Sequence, residues 1–361
     1  MPSFPGLGGV VGFWRALAEV DPQAIAMQAV QNVSIAIVGP PDVGKTTLRR
    51  ALLGHDEPHP EGTRQSGGAL SSTIEVVEVE PHPEGTRRLS WVPGAHLYLY
   101  VVDGGRGIDP ADVAPARQLE GRGGRVLYVV NKADQLGAPE AFRYTAGSAF
   151  GVTPGERLAL AVATDPDHLS RELIPKMAQA LDTRALAMAR ALPGTRDAVA
   201  QSLIFDAAKA NAQFALVSSL PATIPLVGTL ATLGADTIVL TKNQALLVFK
   251  LAAIHGRALD SKMQLAAEIA PVVGAAFIWR NAARALVGLL PGLVSAVPKA
   301  GIAFAGTYVV GQSAHYYYRW GRRPRRETLE RFSHDAARLV RDGVAGAIGR
   351  GDGPKRLGPG R

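Results

Sequence analysis

Residues 33–53 read Val-Ser-Ile-Ala-Ile-Val-Gly-Pro-Pro-Asp-Val-Gly-Lys-Thr-Thr-Leu-Arg-Arg-Ala-Leu-Leu. Within them, Gly39-Pro40-Pro41-Asp42-Val43-Gly44-Lys45-Thr46 is a complete Gly-x-x-x-x-Gly-Lys-Ser/Thr phosphate-binding loop. Val33–Val38 is a short apolar, β-branched run, which predicts a buried strand. Leu48–Leu53 carries good helix formers and stops at Gly54. Strand, glycine-rich turn and helix form the setting in which this motif works. Backbone N–H groups of the turn and the positive end of the following helix make a concave anion site. Gly39 and Gly44 allow a close phosphate approach that a side chain would block. Lys45 is placed to reach the β- and γ-phosphates, and the Thr46 hydroxyl to ligate Mg²⁺, with Thr47 beside it in the first helical turn.

A second motif refines the ligand. Asn131-Lys132-Ala133-Asp134 directly follows the apolar run Arg125–Val130, and the carboxyl ends of parallel strands are where such sheets bind ligands. The Asp134 carboxylate can accept from both N1–H and the 2-amino group of guanine, donors that adenine lacks. The pair of motifs therefore points to GTP and GDP, with an ordinary polar turn at 131–134 and an ATP-using site as the alternative.

These residues resemble an Era-like GTPase of the translation-factor-related P-loop class. The resemblance implies phosphate-loop roles for Gly39 to Thr46 and base recognition by Asn131, Lys132 and Asp134. It also implies a first-switch threonine that helps hold Mg²⁺. Thr73, preceded by Ser71 and Ser72, occupies that stretch before the expected strand Ile74–Glu80. A last base-contacting turn falls at Ala163-Thr164, after Leu158–Val162, where the family's pattern is Ser-Ala.

One departure bears on activity. Where the family places Asp-x-x-Gly after its third strand, this chain reads Trp91-Val92-Pro93-Gly94. Gly94 is available to sense the γ-phosphate, but tryptophan replaces the Mg²⁺-associated aspartate. Only Ala95 and His96 precede the next strand, Leu97–Val102, so the second switch is cut short. Positioning and electrostatics make up most of this catalysis. Hydrolysis is therefore expected to be slow, absent or completed by a partner, and no catalytic residue is assigned. Asp103 fits a generic metal-binding pattern, although strand counting gives it a structural role. His96 reads as a surface group rather than a water-positioning one.

The 361-residue length allows two domains with full cores. The absence of cysteine removes disulfides, thiol catalysis and thiolate metal sites. The amino terminus lacks the pattern of a secretory signal. The expected fold is an α/β P-loop GTPase-like sheet followed by a second, all-α hydrophobic helical domain. An amphipathic helix (Trp14–Gln31, within 1–32) leads into the sheet domain over 33–185, where Glu75–Glu80 and Arg87–Trp91 are expected to form an edge hairpin. The helical domain spans 186–349 and a basic disordered tail covers 350–361.

The second half also resembles the helical domain of unknown function found behind Era-like GTPases in bacteria. Pro225-Leu226-Val227-Gly228 and Asp236–Gln244 carry that resemblance. Residues 210–235 and 300–318 contain no Lys, Arg, Asp or Glu, and both exceed the ~18 residues at which a membrane span is considered. Asn211, Gln213, Pro221 and Pro225 interrupt the first. Residues 319–361 carry +7 of the formal +8 charge, beginning with Arg319-Trp320-Gly321-Arg322-Arg323-Pro324-Arg325-Arg326. A basic cluster after an apolar segment suits an anionic membrane surface on the cytoplasmic side. The readings are membrane insertion, surface attachment or a soluble helical core, with nucleic acid disfavoured and a homo-oligomer or an activating protein as further partners.

Overall fold

A computed structural model describes residues 20–54, 73–78, 80–81, 87–88, 94–121, 124–217, 235–261, 263, 265, 269 and 296–349. They fall into two compact units: Pro22–Ser202 with Ala252–Asp260, and Met1–Asp21 with Leu203–Leu251 and Ser261–Arg361.

The first unit is built on a parallel sheet. Its strands are β1 (Ser34–Gly39), β2 (Thr73–Glu78), β5 (Leu97–Asp103), β6 (Arg125–Asn131) and β7 (Leu158–Leu160), in the order β2-β1-β5-β6-β7. Every neighbouring pair is parallel. A sheet covered on both faces needs apolar residues at nearly every position, and β5 is buried along its whole length. Alternate residues serve opposite faces. Ala36, Val38, Tyr98, Tyr100, Val102, Tyr128 and Val130 pack with Ala116 and Leu119 of one helix, Val113–Glu120, and with Ala146 and Phe150 of another, Pro139–Phe150. Tyr128 stacks on Phe150 at 4.6 Å between ring centroids, and Tyr100 meets both edge-on. The alternating set Ile35, Ile37, Leu99, Val101 and Val129 is equally buried. Helix Lys45–Leu53 packs against β1 and β2, and helix Ile174–Leu181 against β5 and β6.

Two expectations change. Thr73–Glu78 is not an arm of an edge hairpin; it runs parallel to β1, with Ser34 opposite Thr73 and Gly39 opposite Glu78. A parallel neighbour requires a crossover, and helix Lys45–Leu53 lies in that crossover. The antiparallel pair is a separate two-residue ladder, β3 (Glu80–Pro81) with β4 (Arg87–Arg88). Trp91, Val92 and Pro93 lie outside the described residues, as do 55–72. The domain boundaries also move outward from 33–185. Helix Pro22–Ala29, the described part of the expected amino-terminal helix, buries Ile25 and Ala29 and contacts helix Ala185–Ala191. A methyl group on Gly194 would lie 1.9 Å from the Ala51 carbonyl oxygen, so the 193–195 turn packs directly on the end of the phosphate-loop helix.

The described secondary structure of the second unit is mainly helical, drawn from Arg196–Val217, Ala235–Ile254, Ala296–Trp320 and Arg326–Gly349. Its interior is not purely apolar. The Asn211 amide donates to Thr307 Oγ1 at 2.8 Å and to the Leu240 carbonyl at 3.2 Å; Asn243 donates to Asn211 Oδ1 at 2.7 Å. Gln244 also donates to Thr307 Oγ1, at 3.1 Å. These bonds tie three helices together at one level. Among the described residues, no helix is long and apolar enough to cross a membrane. The stretch 210–235 falls largely outside the described residues.

Candidate nucleotide-binding site

β1, β5 and β6 deliver Gly39, Asp103 and Asn131 to the same carboxyl edge of the sheet, where Asp103 and Asn131 stand opposite each other in register. The phosphate loop leaves that edge directly. A methyl group on Gly39 would lie 2.2 Å from the Val101 carbonyl oxygen, so glycine lets β1 and β5 approach before the turn. Within the loop, Asp42 (φ 63°) and Gly44 (φ 90°) are left-handed. Alternating backbone hand of this kind turns successive N–H groups toward one concavity. Lys45 is buried at the first helical position and its Nζ donates to the Pro40 carbonyl at 2.5 Å. That contact arches the lysine back over the loop. Thr46 and Thr47 are exposed in the same first turn, leaving the Thr46 hydroxyl accessible to a metal ion.

Asn131 joins this loop to the 163–164 turn. It is 2% exposed. Its Nδ2 donates to the Val43 carbonyl at 2.8 Å, and its Oδ1 accepts from the Ala163 backbone N–H at 3.0 Å. One side chain thus connects the 39–46 loop, the end of β6 and the 163–164 turn. The approach is close: a methyl group on Gly44 would sit 2.3 Å from Asn131 Nδ2. Lys132 is held with φ 59°. Its Nζ donates to the Asp42 carbonyl at 3.0 Å and to Asp103 Oδ2 at 2.6 Å. Asp134 is exposed in the short helical turn Ala133–Gln135, and Thr164 is exposed in the turn after β7. The Asp165 side chain caps the next helix by accepting from the His168 N–H at 3.0 Å, which fixes where the 163–164 turn ends.

Asp103 is 5% exposed and already committed. Burial pushes its carboxyl pKa up. The hydrogen bond and charge of Lys132, with the N–H groups of Gly105 and Arg106, outweigh that and hold it below the ordinary carboxylate value. It anchors Lys132, the structural role that strand counting gives it. This pair is what sequence reasoning missed; the available signal was a Val-Asp strand end in line with Asn131-Lys132.

Two other expected residues are not brought to the site. Thr73 opens β2 opposite Ser34, and its N–H donates to the Val33 carbonyl at 3.0 Å. Gly94 precedes the first residue of β5. Both therefore lie at the amino edge of the sheet, whereas the loop leaves the carboxyl edge. At about 3.3 Å per residue, the run from Ser34 to Gly39 separates the two edges by about 17 Å. The structure thus places Thr73, expected as a magnesium ligand, and Gly94, expected as a γ-phosphate sensor, away from the phosphate loop. His96 lies at that same far edge, with Nδ1 2.7 Å from Ser34 Oγ. Burial and the charge of Arg184 lower its pKa.

The parallel sheet, the phosphate loop and the Asn-Lys-x-Asp turn fit a P-loop GTPase. Similarity to known proteins agrees over part of the chain. GTPase Der of Rhizobium etli is 33% identical over 136 residues, covering 32% of this chain and 29% of that protein. GTPase Der of Thioalkalivibrio sulfidiphilus is 32% identical over 137 residues, with the same coverage. The chain thus spans less than a third of the length of these relatives. No protein-family model matches it.

Proposed function

We propose that this chain is a GTP- and GDP-binding protein of the Era-like type, binding Mg²⁺ with the nucleotide through Thr46. The single observation that carries the reading is Asn131, which links the phosphate loop to the 163–164 turn with both ends of its amide. Such a bridge suits a ligand that has phosphates at one end and a base at the other. The loop N–H groups and Lys45 would hold the phosphates. The stem of Lys132 would lie along the base, Asp134 would accept from N1–H and the 2-amino group, and the 163–164 turn would meet the remaining edge. The name of the Der relatives supports guanine nucleotide as the ligand.

Calorimetric titration with GTP, GDP and ATP in the presence of Mg²⁺, beside Asp134→Asn, tests this. Tight guanine-nucleotide binding lost in the variant is expected; equal binding of ATP would overturn the guanine assignment.

Hydrolysis in this proposal is weak or partner-dependent. A second reading, a nucleotide-holding scaffold that does not hydrolyse, is favoured by the placement of Thr73, Gly94 and His96 at the far edge of the sheet. We further propose that the second unit is a hydrophobic all-α domain that associates with anionic membranes from the cytoplasmic side. This rests on the basic 319–326 segment and the apolar helix before it.

A further inference from the structure

Arg319, Arg322, Arg323, Arg325 and Arg326, which open the basic stretch 319–361, cluster at a folded tip. Helices Ala296–Trp320 and Arg326–Gly349 are joined by the five residues Gly321–Arg325. So short a link between packed helices makes them antiparallel neighbours. Tyr316 meets Phe332 edge-on at 6.4 Å between centroids, which fixes the hairpin just below its turn. Gly321 adopts φ 65° and donates its N–H to the Tyr317 carbonyl at 2.8 Å, closing the first helix. Pro324 is buried, so the turn is pinned from beneath.

The outside of this tip has a specific chemistry. Arg322, Arg323, Arg325 and Arg326 are exposed, and Trp320 is 42% exposed. Arg319 lies over the Trp320 ring at 5.0 Å. Arg326 pairs with Glu330 at 3.0 Å. Among the described residues, Arg322, Arg323 and Arg325 make no ion pair. Guanidinium groups chelate phosphate oxygens through paired N–H donors. An indole beside them suits the headgroup boundary of a bilayer, where an apolar ring with one polar edge is stable.

Resting on the membrane reading above, we infer that the Trp320–Arg326 tip is the lipid-phosphate site through which the chain docks on an anionic bilayer. Arg322, Arg323 and Arg325 engage headgroup phosphates, and Trp320 enters the interface. Exposed arginines and an exposed indole set at one five-residue link fit a planar array of phosphates at a bilayer surface.

The test is flotation of the full chain with vesicles of phosphatidylcholine alone or with 30% phosphatidylglycerol as a chosen probe composition, about the anionic content that gives a substantial surface potential. Binding only to the anionic vesicles is expected. Replacing Arg322, Arg323 and Arg325 together by Gln should weaken it roughly a hundredfold, from about a fivefold effect per arginine at the surface. Trp320→Phe should reduce quenching of tryptophan emission by brominated lipid. Unchanged circular dichroism and GDP affinity would show that the variants remain folded. Wild-type binding that survives the triple Gln change refutes the tip while leaving membrane association standing. Failure of the wild type to bind anionic vesicles removes the membrane reading and this inference together. Tighter binding to duplex or single-stranded oligonucleotide than to vesicles also overturns it.

Discussion

Replacing Asn131 by Ala tests the logic of the site at its most constrained point. The change removes both bonds of a side chain that is 2% exposed, the 2.8 Å bond to the Val43 carbonyl and the 3.0 Å bond from the Ala163 N–H. Each partner then lies unpaired in a poorly hydrated place, at about 1–3 kcal/mol apiece, so the total loss is about 2–6 kcal/mol. Set against a domain stability of about 5–15 kcal/mol, the variant should fold but unfold at a urea midpoint lower by about 1–3 M. Its GDP dissociation constant should rise at least about tenfold, because the loop and the base turn are no longer registered to each other. A double-mutant cycle sharpens the test. Gly44→Ala alone puts a methyl group 2.3 Å from Asn131 Nδ2 at φ 90°, combining a clash with about 1–2 kcal/mol of backbone strain. With Ala at 131 the clash vanishes and only the strain stays. The two changes together should therefore cost less than their sum by about 1–3 kcal/mol, measured by urea denaturation. Additivity within about 0.5 kcal/mol, or unaltered GDP affinity in Asn131→Ala, would refute the bridging role.

Further expectations concern other parts of the molecule. Lys132→Met leaves Asp103 buried without its main partner and should destabilise the sheet domain by about 1–3 kcal/mol at pH 7, seen by thermal or urea unfolding. Asp103 titrates below its ordinary value when folded. Its contribution is complete above the unfolded pKa of about 3.9 and is lost as pH falls below that toward the lower folded value. Asp103→Asn should remove that acid-side loss from the stability profile below about pH 4. Thr73→Ala and Gly94→Ala should leave the Mg²⁺-GTP dissociation constant within about twofold of the wild type, since both lie at the far edge and a methyl group on Gly94 meets nothing within 4 Å. Thr307→Val should cost the helical unit about 1–3 kcal/mol in thermal unfolding, by removing the acceptor that Gln244 and Asn211 share and leaving Asn211 only its bond to the Leu240 carbonyl.

The parts legible in the sequence are those whose chemistry is local. A β-branched run, two glycines and a lysine define the phosphate loop within one short segment, and β1 with helix Lys45–Leu53 forms where that pattern places it. The apolar runs 97–102 and 125–130 are strands for the same reason, each extended by one polar residue. What failed was the direction of β2. Thr73–Glu78 alternates well enough for either a hairpin arm or a parallel strand, because periodicity reports burial and not polarity. Only the crossover through helix Lys45–Leu53 decides it, and that is a property of the assembled chain. Turning this one strand carries Thr73 to the opposite edge. The Asp103–Lys132 pair was hidden for a related reason. Those two residues are 29 positions apart, and their contact depends on the β5–β6 register. In the helical half, the absence of charge over 300–318 suggested a lipid-facing segment. Thr307, Ser313 and His315 are buried there, with Thr307 bonded to neighbouring helices, so a charge-free stretch serves protein packing as readily as lipid.

The geometry also bears on whether bound GTP turns over. Phosphoryl transfer depends on a positioned nucleophile and on countercharge at the γ-phosphate. Lys45 and a Mg²⁺ held by Thr46 would supply countercharge toward the phosphates, and both would act on ground and transition states. Orientation of the attacking water needs a group on the far side of the γ-phosphate. Thr73 and Gly94, expected to hold Mg²⁺ and to sense the γ-phosphate, lie with His96 along the amino edge. The expected outcome is tight binding with single-turnover hydrolysis near the uncatalysed rate. A cation inserted by a partner would then be the missing element, and such groups accelerate hydrolysis by about 10³–10⁵. Single-turnover assays with excess protein over labelled GTP, with and without anionic vesicles, separate the cases. Fast hydrolysis by the isolated chain would refute the argument from edge placement. A slow rate stimulated by vesicles would tie the nucleotide site to the basic tip, because a ligand can shift an equilibrium only through differential contacts with its states. A slow rate unaffected by vesicles would leave a nucleotide-holding scaffold whose activator, if it has one, is a protein.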